Sequence, residues 1–290
     1  MEIRARSVPR PDGFRRATEG YLDSLAADGY AEKTLRGYRY ALTRAHQTLR
    51  TLGTPPSPSR FNEAHKRALF AAHRHDPWLI STMNVCLRSM GVRHLLPHVE
   101  IPPRRVRWLT KSQADAMLNA SLRLGPPYST LVHLELQNGF RRVSVQRAKV
   151  RDLTTTPIYI RGKGKDYVIV PHPDLKYILM GTDAWRGERG FVSEWLLPVR
   201  SYGHEHPRSE QGLDLILRTV AEKVGVVASH HDLRRTFGRS LWEALGRRDI
   251  ETVSAQMGHS SVDMTLKYLG IGLEDQHEAM IQLARWESGG

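Results

Sequence analysis

Apolar residues recur at helical spacing along most of the chain. Phe14, Tyr21, Leu22 and Leu25 mark one face of a helix that Asp12 would cap and Gly29 would end. A second helix starts near Lys33. Leu35, Tyr38, Leu42, Leu49 and Leu52 form its apolar face, and Arg36, Arg39 and Arg50 point elsewhere. GTPPSPS at 53–59 is a loop by its Pro and Ser content. Phe61, Ala64, Ala68 and Ala72 predict a third helix and Leu79 to Met90 a fourth, in which Cys86 reads as a buried small hydrophobe. These elements predict a small all-α domain over residues 1–96.

The pattern then breaks. PHVEIPPRRVRWL at 97–109 holds paired prolines and the basic side chains Arg104, Arg105 and Arg107, which suits an extended linker lying along a phosphate backbone. Thr110 and Gln113 form a capping-box signature that opens a second domain, 110–290. Its first helix runs to about Leu122, and Leu131–Leu136 is a further apolar stretch. IYIRGKGKDYVIV at 158–170 places β-branched and aromatic runs on either side of a Gly/Lys turn, so it reads as a β-hairpin. The segment between this hairpin and Leu213 reads as irregular. Leu213, Leu217, Val220 and Val224 predict a helix ended by Gly225, and Leu233, Phe237, Leu241 and Leu245 another ended by Gly246. Ile250, Val253 and Met257 mark a short helix. Ser260 and Asp263 suggest a capping box for a last one carrying Tyr268. The fold class expected is mainly α with a small β-sheet in the C-terminal domain.

Composition narrows the function. The 290 residues include 40% apolar side chains, enough for sizeable cores, and no apolar run approaches the ~18 residues a membrane helix needs. The basic start lacks an apolar stretch and does not read as a secretory signal. One cysteine precludes a disulfide within these residues, which suits a reducing, cytoplasmic setting. The net charge is +13, and 34 of the 43 basic residues are arginine. That field favours a polyanion, and the forked guanidinium suits phosphate. A GC-rich coding sequence would also raise the arginine count.

The polar groups of the second domain cluster at predicted element ends: Arg141 after Gly139-Phe140, Lys163 and Lys165 in the hairpin turn, His231 and Arg234 at a helix start, His259 after Gly258, and Tyr268 nine residues on. In this order they resemble the tyrosine recombinases of the phage-integrase family. GFRRVSVQRAKVRDL resembles the family's first arginine box, RGKGKDYVIVP its lysine hairpin, HHDLRRTFGRSLWEALG its His-x-x-Arg box, and MGHSSVDMTLKYLG its Gly-His to Tyr box. AEKTLRGYRYAL resembles part of the family's core-binding domain. The resemblance implies catalytic roles for Arg141, Lys163, His231, Arg234 and His259, with Tyr268 as nucleophile. Lys165 is an alternative to Lys163 and a candidate DNA contact, as are Arg36, Arg39, Arg104, Arg105 and Arg107. One departure stands out. The family commonly carries an acid three residues after the first-box arginine, and this chain has Ser144, so compensation elsewhere is expected. Arg142 adjoins Arg141; Arg141 keeps the spacing to Asp152-Leu153.

These residue types suit phosphodiester chemistry in their own right. Two guanidiniums can clamp the non-bridging oxygens of a phosphate under attack, a contribution of ~3–4 kcal/mol per donor at the transition state. A tyrosine with an ordinary pKa near ~10 needs a base, and His231 is placed to be one. A lysine can protonate the departing 5′-oxygen, and His259 can hydrogen-bond the phosphate. No metal or cofactor is called for; GKGK lacks the spacing of a nucleotide-binding loop. The expected partners are double-stranded DNA and further copies of the chain, four on two DNA sites, with no membrane. The apolar positions Met280, Leu283 and Trp286 suggest that the tail docks on a neighbouring copy. Two rivals carry less: a catalytically silent DNA-binding regulator, and a metal-dependent hydrolase built on His230, His231 and Asp232 or on His204-Glu205-His206, the latter in what reads as a solvated turn.

Overall fold

A computed structural model describes residues 13–53, 55–99, 106–162, 166–272, 280–281 and 283–288. The chain divides into two compact units, Met1–Arg104 and Arg105–Gly290. The dividing line falls inside the stretch expected to be a linker.

The first unit contains α1 (Gly13–Ala27), α2 (Glu32–Arg50), α3 (Glu63–His73) and α4 (Pro77–Ser89). The expected cap Asp12 lies outside the described residues. Asn62 caps α3 and Asp76 caps α4, each side chain accepting from backbone N–H groups of the first turn. Phe14, Leu42, Leu49, Leu69, Met83 and Leu87 form a closed core around Cys86, whose thiol burial pushes its pKa up to about 12. Cys86 is therefore a packed, unreactive side chain.

The second unit is built around α6 (Tyr128–Leu136), whose residues from Ser129 onward are all buried. A helix buried on every side shows no apolar stripe, so its sequence reads only as an apolar run. It packs against α5 (Lys111–Leu124), which opens with the expected Thr110–Gln113 capping box, and against α8 (Leu175–Glu188), α9 (Glu210–Lys223) and α10 (His230–Ala244). The predicted hairpin forms as β1 (Ile158–Ile160) and β2 (Tyr167–Ile169), antiparallel with Ile158 opposite Ile169. Residues 171–209 are more regular than their sequence suggested. They hold α8 (Leu175–Glu188) and a second hairpin, β3 (Pro198–Ser201) and β4 (His204–Pro207). Two glycines, Gly181 and Gly187, weaken the helical signal of α8. Glu205 is not in a solvated turn. It accepts from the backbone N–H groups of Val192 and Ser193 and from Arg200, which hold its carboxyl down at about 2.

The remaining helices are α7 (Arg142–Arg147), α9 (Glu210–Lys223), α10 (His230–Ala244), α11 (Ile250–Gln256) and α12 (Val262–Leu269). The cap of α12 is Ser261, not Ser260: its hydroxyl accepts from the N–H of Met264. A small apolar cluster of Phe237, Trp242, Val253, Met257 and Leu269 joins α10, α11 and α12, and Tyr268 packs against it. No helix among the described residues is long and apolar enough to cross a membrane. The observed architecture is mainly helical with small antiparallel sheets.

Candidate active site

The first turn of α10 organises the site. Ser229 and Asp232 form a reciprocal capping box there, so Asp232 is spent on the helix start, not on a metal. This cap turns His231 toward α12, where its Nδ1 lies 3.1 Å from the hydroxyl of Tyr268. Burial and the charges of Arg235 and Arg234 hold the His231 imidazole below its usual pKa, so it is neutral at pH 7. A neutral ring can accept the tyrosine proton.

Arg234 is fully buried. One of its terminal nitrogens donates to the carbonyl of Gly139 and the other to that of Met257. The guanidinium therefore ties the loop before α7 to the end of α11. Gly139 sits at φ +65°, and a Cβ there would stand 2.4 Å from the ring of Phe237, so the loop can pass only as glycine. Arg141 follows at the start of α7. Its Nη2 donates to the carbonyl of Gly258 at 3.3 Å, and its guanidinium stands 5.7 Å from the ring centre of Tyr167. Arg142 turns the other way, to Glu210 and Asp214, at 2.6 Å each. Of the two adjacent arginines, only Arg141 reaches the tyrosine side of the fold.

His259 lies across the site from His231. Its Nδ1 is 2.9 Å from the hydroxyl of Thr265, and its ring meets Tyr268 edge-on at 5.2 Å between centres. Burial first, then Arg234 and Arg141, lower its pKa to about 4. Gly258 beside it has φ +56°, and a Cβ there would strike the ring of Tyr167 at 2.5 Å. Burial raises the pKa of Tyr268, opposed by Arg234, Arg235 and Arg141. The hydroxyl is thus held protonated, beside a neutral base and a group of cations that favour the phenolate.

Of the six residues expected to act together, five converge: Arg141, His231, Arg234, His259 and Tyr268. Lys163 and Lys165 lie outside the described residues, as do Arg104 and Arg105. The hairpin that carries the two lysines is anchored by Arg147, which donates to the Gly162 carbonyl, and by Asp166, which accepts from the Gly162 N–H and from Tyr159. Arg107 pairs with Asp232 at 3.2 Å. Arg36 and Arg39 are exposed on α2, within 4.0 and 3.8 Å of Glu32. Sequence reasoning passed over Arg235, whose guanidinium lies 5.0 Å from the ring centre of Tyr268, and Tyr167, whose ring packs beside both Arg141 and Gly258. The doubled arginine at 234–235, one helical turn beyond His231, was the available signal for the first.

Residues 107–271 match the model of the phage integrase family. The chain belongs to that family. It is 27% identical over 278 residues to tyrosine recombinase XerA of Thermococcus kodakarensis, an alignment spanning 90% of this chain and 92% of the relative. Its fold is similar to that of a lambda integrase dimer bound to a COC′ core site (TM-score 0.67, 17% identity, 88% of this chain and 76% of that one). It is equally similar to XerH site-specific recombinase in a post-cleavage complex with palindromic difH substrate (TM-score 0.67, 16% identity, 93% and 84% covered). The integrase fold, mainly helical with small sheets, is the one expected from the sequence.

Proposed function

We propose that this integrase is a site-specific recombinase that cuts and rejoins double-stranded DNA through a covalent 3′-phosphotyrosine at Tyr268. The observation that carries this reading is the placement of the Tyr268 hydroxyl 3.1 Å from Nδ1 of His231, beside Arg234, Arg235 and His259 of its own chain. Tyr268 attacks the phosphorus as its proton passes to His231. The bond from phosphorus to the 5′-oxygen breaks, and Lys163 (or Lys165) protonates that oxygen. Arg141 and Arg234 offset the charge growing on the non-bridging oxygens, and His259 donates to one of them. Reversal by a new 5′-hydroxyl rejoins the strand and restores Tyr268. The phosphotyrosine link conserves the bond energy, so neither ATP nor a metal is required.

The nucleophile and its base belong to one chain, which favours cleavage in cis. Four copies on two DNA sites are proposed for the full exchange. Relatives solved as a dimer on a core site and as a tetramer on a Holliday junction support that assembly. So does the exposure of Met280, Leu283 and Trp286. The 1–96 helices and the 97–109 segment would add phosphate contacts through Arg36, Arg39, Arg104, Arg105 and Arg107, and the protein would work in the cytoplasm on the nucleoid.

The test is to trap the intermediate. The protein is mixed with nicked duplexes tiling the DNA that flanks its own coding sequence, in EDTA, and resolved on a denaturing gel. A protease-sensitive, slowly migrating DNA band that vanishes with Tyr268→Phe is the expected result. Salt-sensitive binding with no such band on any duplex would leave the silent regulator as the reading, and strand cleavage without the band, seen only in parallel reactions with Mg²⁺ in place of EDTA, would point to a metal-dependent nuclease.

A further inference from the structure

Behind the reacting groups lies a second, buried set of polar side chains. Glu135, near the end of α6, is wholly inaccessible, and both its carboxylate oxygens lie 2.8 Å from Nδ1 of His230. The other ring nitrogen of His230 is 3.0 Å from Oδ1 of Asp214 on α9. That same oxygen accepts from Arg142 at 2.6 Å. A continuous polar chain thus runs Glu135–His230–Asp214–Arg142. Its second member, His230, immediately precedes His231, and its last, Arg142, immediately follows Arg141.

The cost of this arrangement calls for a role. Burying a carboxyl in a helix whose neighbours are core leucines is unfavourable unless partners compensate, and burial pushes the Glu135 carboxyl up. An apolar pair in place of Glu135 and His230 would fill the same space at less cost. Buried polar networks of this kind specify one arrangement of the elements that carry them. Ser144 on α7 is buried with no hydrogen-bond partner for its hydroxyl, so it takes no part in this chain.

We propose that Glu135 and His230 are positioning residues that lock the first turn of α10 to α6 and, through Asp214 and Arg142, to α7, and so hold His231 and Arg234 in register with Arg141 and Tyr268. This inference rests on the recombinase reading for its consequence, but the geometry it asserts can be measured separately.

Glu135→Leu, Glu135→Gln, His230→Asn and the Leu/Asn double variant are compared with the parent in three measurements. The first is single-turnover formation of the covalent complex on the site found above. Glu135→Leu and His230→Asn each slow it about 10–100-fold, the double variant is no slower than the worse single, and Glu135→Gln recovers part of the loss. DNA affinity stays within about twofold. The second is thermal melting: Glu135→Leu, which leaves the His230 ring nitrogen unpaired, melts below the parent, whereas Glu135→Gln, which keeps an acceptor there, melts close to the parent while still forming the covalent complex more slowly, separating lost register from lost stability. The third is histidine-ring NMR across pH, which needs no activity: the His231 signals and their titration move in Glu135→Leu. Unchanged rates, or strictly additive losses, overturn the proposal. If the parent forms no covalent complex, the recombinase reading fails, and the NMR decides alone: an unmoved His231 titration in Glu135→Leu overturns the lock.

Discussion

The hydroxyl of Tyr268 and Nδ1 of His231 face each other at 3.1 Å across the junction of α12 and α10. Tyr268 is thus seated against the ring proposed as its base. With the ring neutral, its proton has an acceptor. His231→Ala should slow covalent-complex formation by about 10²–10⁴-fold while leaving DNA affinity close to that of the parent. Because the His231 pKa is depressed, the acid limb of the parent's rate against pH should lie below the ordinary histidine value of ~6.5. Single-turnover rates between pH 5 and 8 check both; an acid limb above 7 would contradict the assignment.

His259 also links folding to pH. Its pKa is about 4 in the folded protein and ~6.5 when unfolded. Between those values the unfolded chain binds more protons than the native one, so this residue's contribution is present above pH ~6.5 and is lost as pH falls toward 4. The melting temperature should fall over that window, and His259→Asn should flatten the dependence. Melting curves at half-unit pH steps provide the comparison.

Arg234→Lys should fail in two ways at once. An ammonium cannot reach both the Gly139 and Met257 carbonyls as the planar fork does, and a buried acceptor left unpaired costs about 1–3 kcal/mol. The expected outcome is a lowered melting temperature together with cleavage reduced about 10²–10³-fold. A variant with native melting and only lost cleavage would show that the two carbonyl contacts contribute little.

Gly139→Ala tests the loop directly. The added methyl would overlap the Phe237 ring in a backbone conformation that alanine avoids, so we expect a loss of at least about 1–2 kcal/mol in chemical denaturation. Gly190→Ala, where open space surrounds the Cβ position and φ is also +65°, is the control that isolates the conformational part.

The helices with a clear apolar stripe or a cap, such as α2, α5 and α9, could be read from the chain, as could the hairpin at β1 and β2. What escaped was of two kinds. Elements with weak local signals, α8 with its glycines and the short β3–β4 pair, were lost in a segment rich in Gly and Pro. Long-range polar contacts left no local trace: nothing around Glu135 indicates that its partner lies 95 positions away at His230. The reacting residues were legible because their types and spacing are constrained by chemistry. The groups that orient them are constrained only by shape, which a linear pattern does not carry.

The two carbonyl contacts of Arg234 bear on how such a protein can change over generations. A descendant that gave up strand cutting but kept DNA binding could lose His231, which is exposed, or the hydroxyl of Tyr268, whose ring packs on the domain, with little damage to the fold. It could not easily discard Arg234, whose charge helps hold two loops in place. Decay into a silent binder would therefore begin at the nucleophile and its base, and the buried arginine would persist in the lineage after its chemistry had ceased to matter.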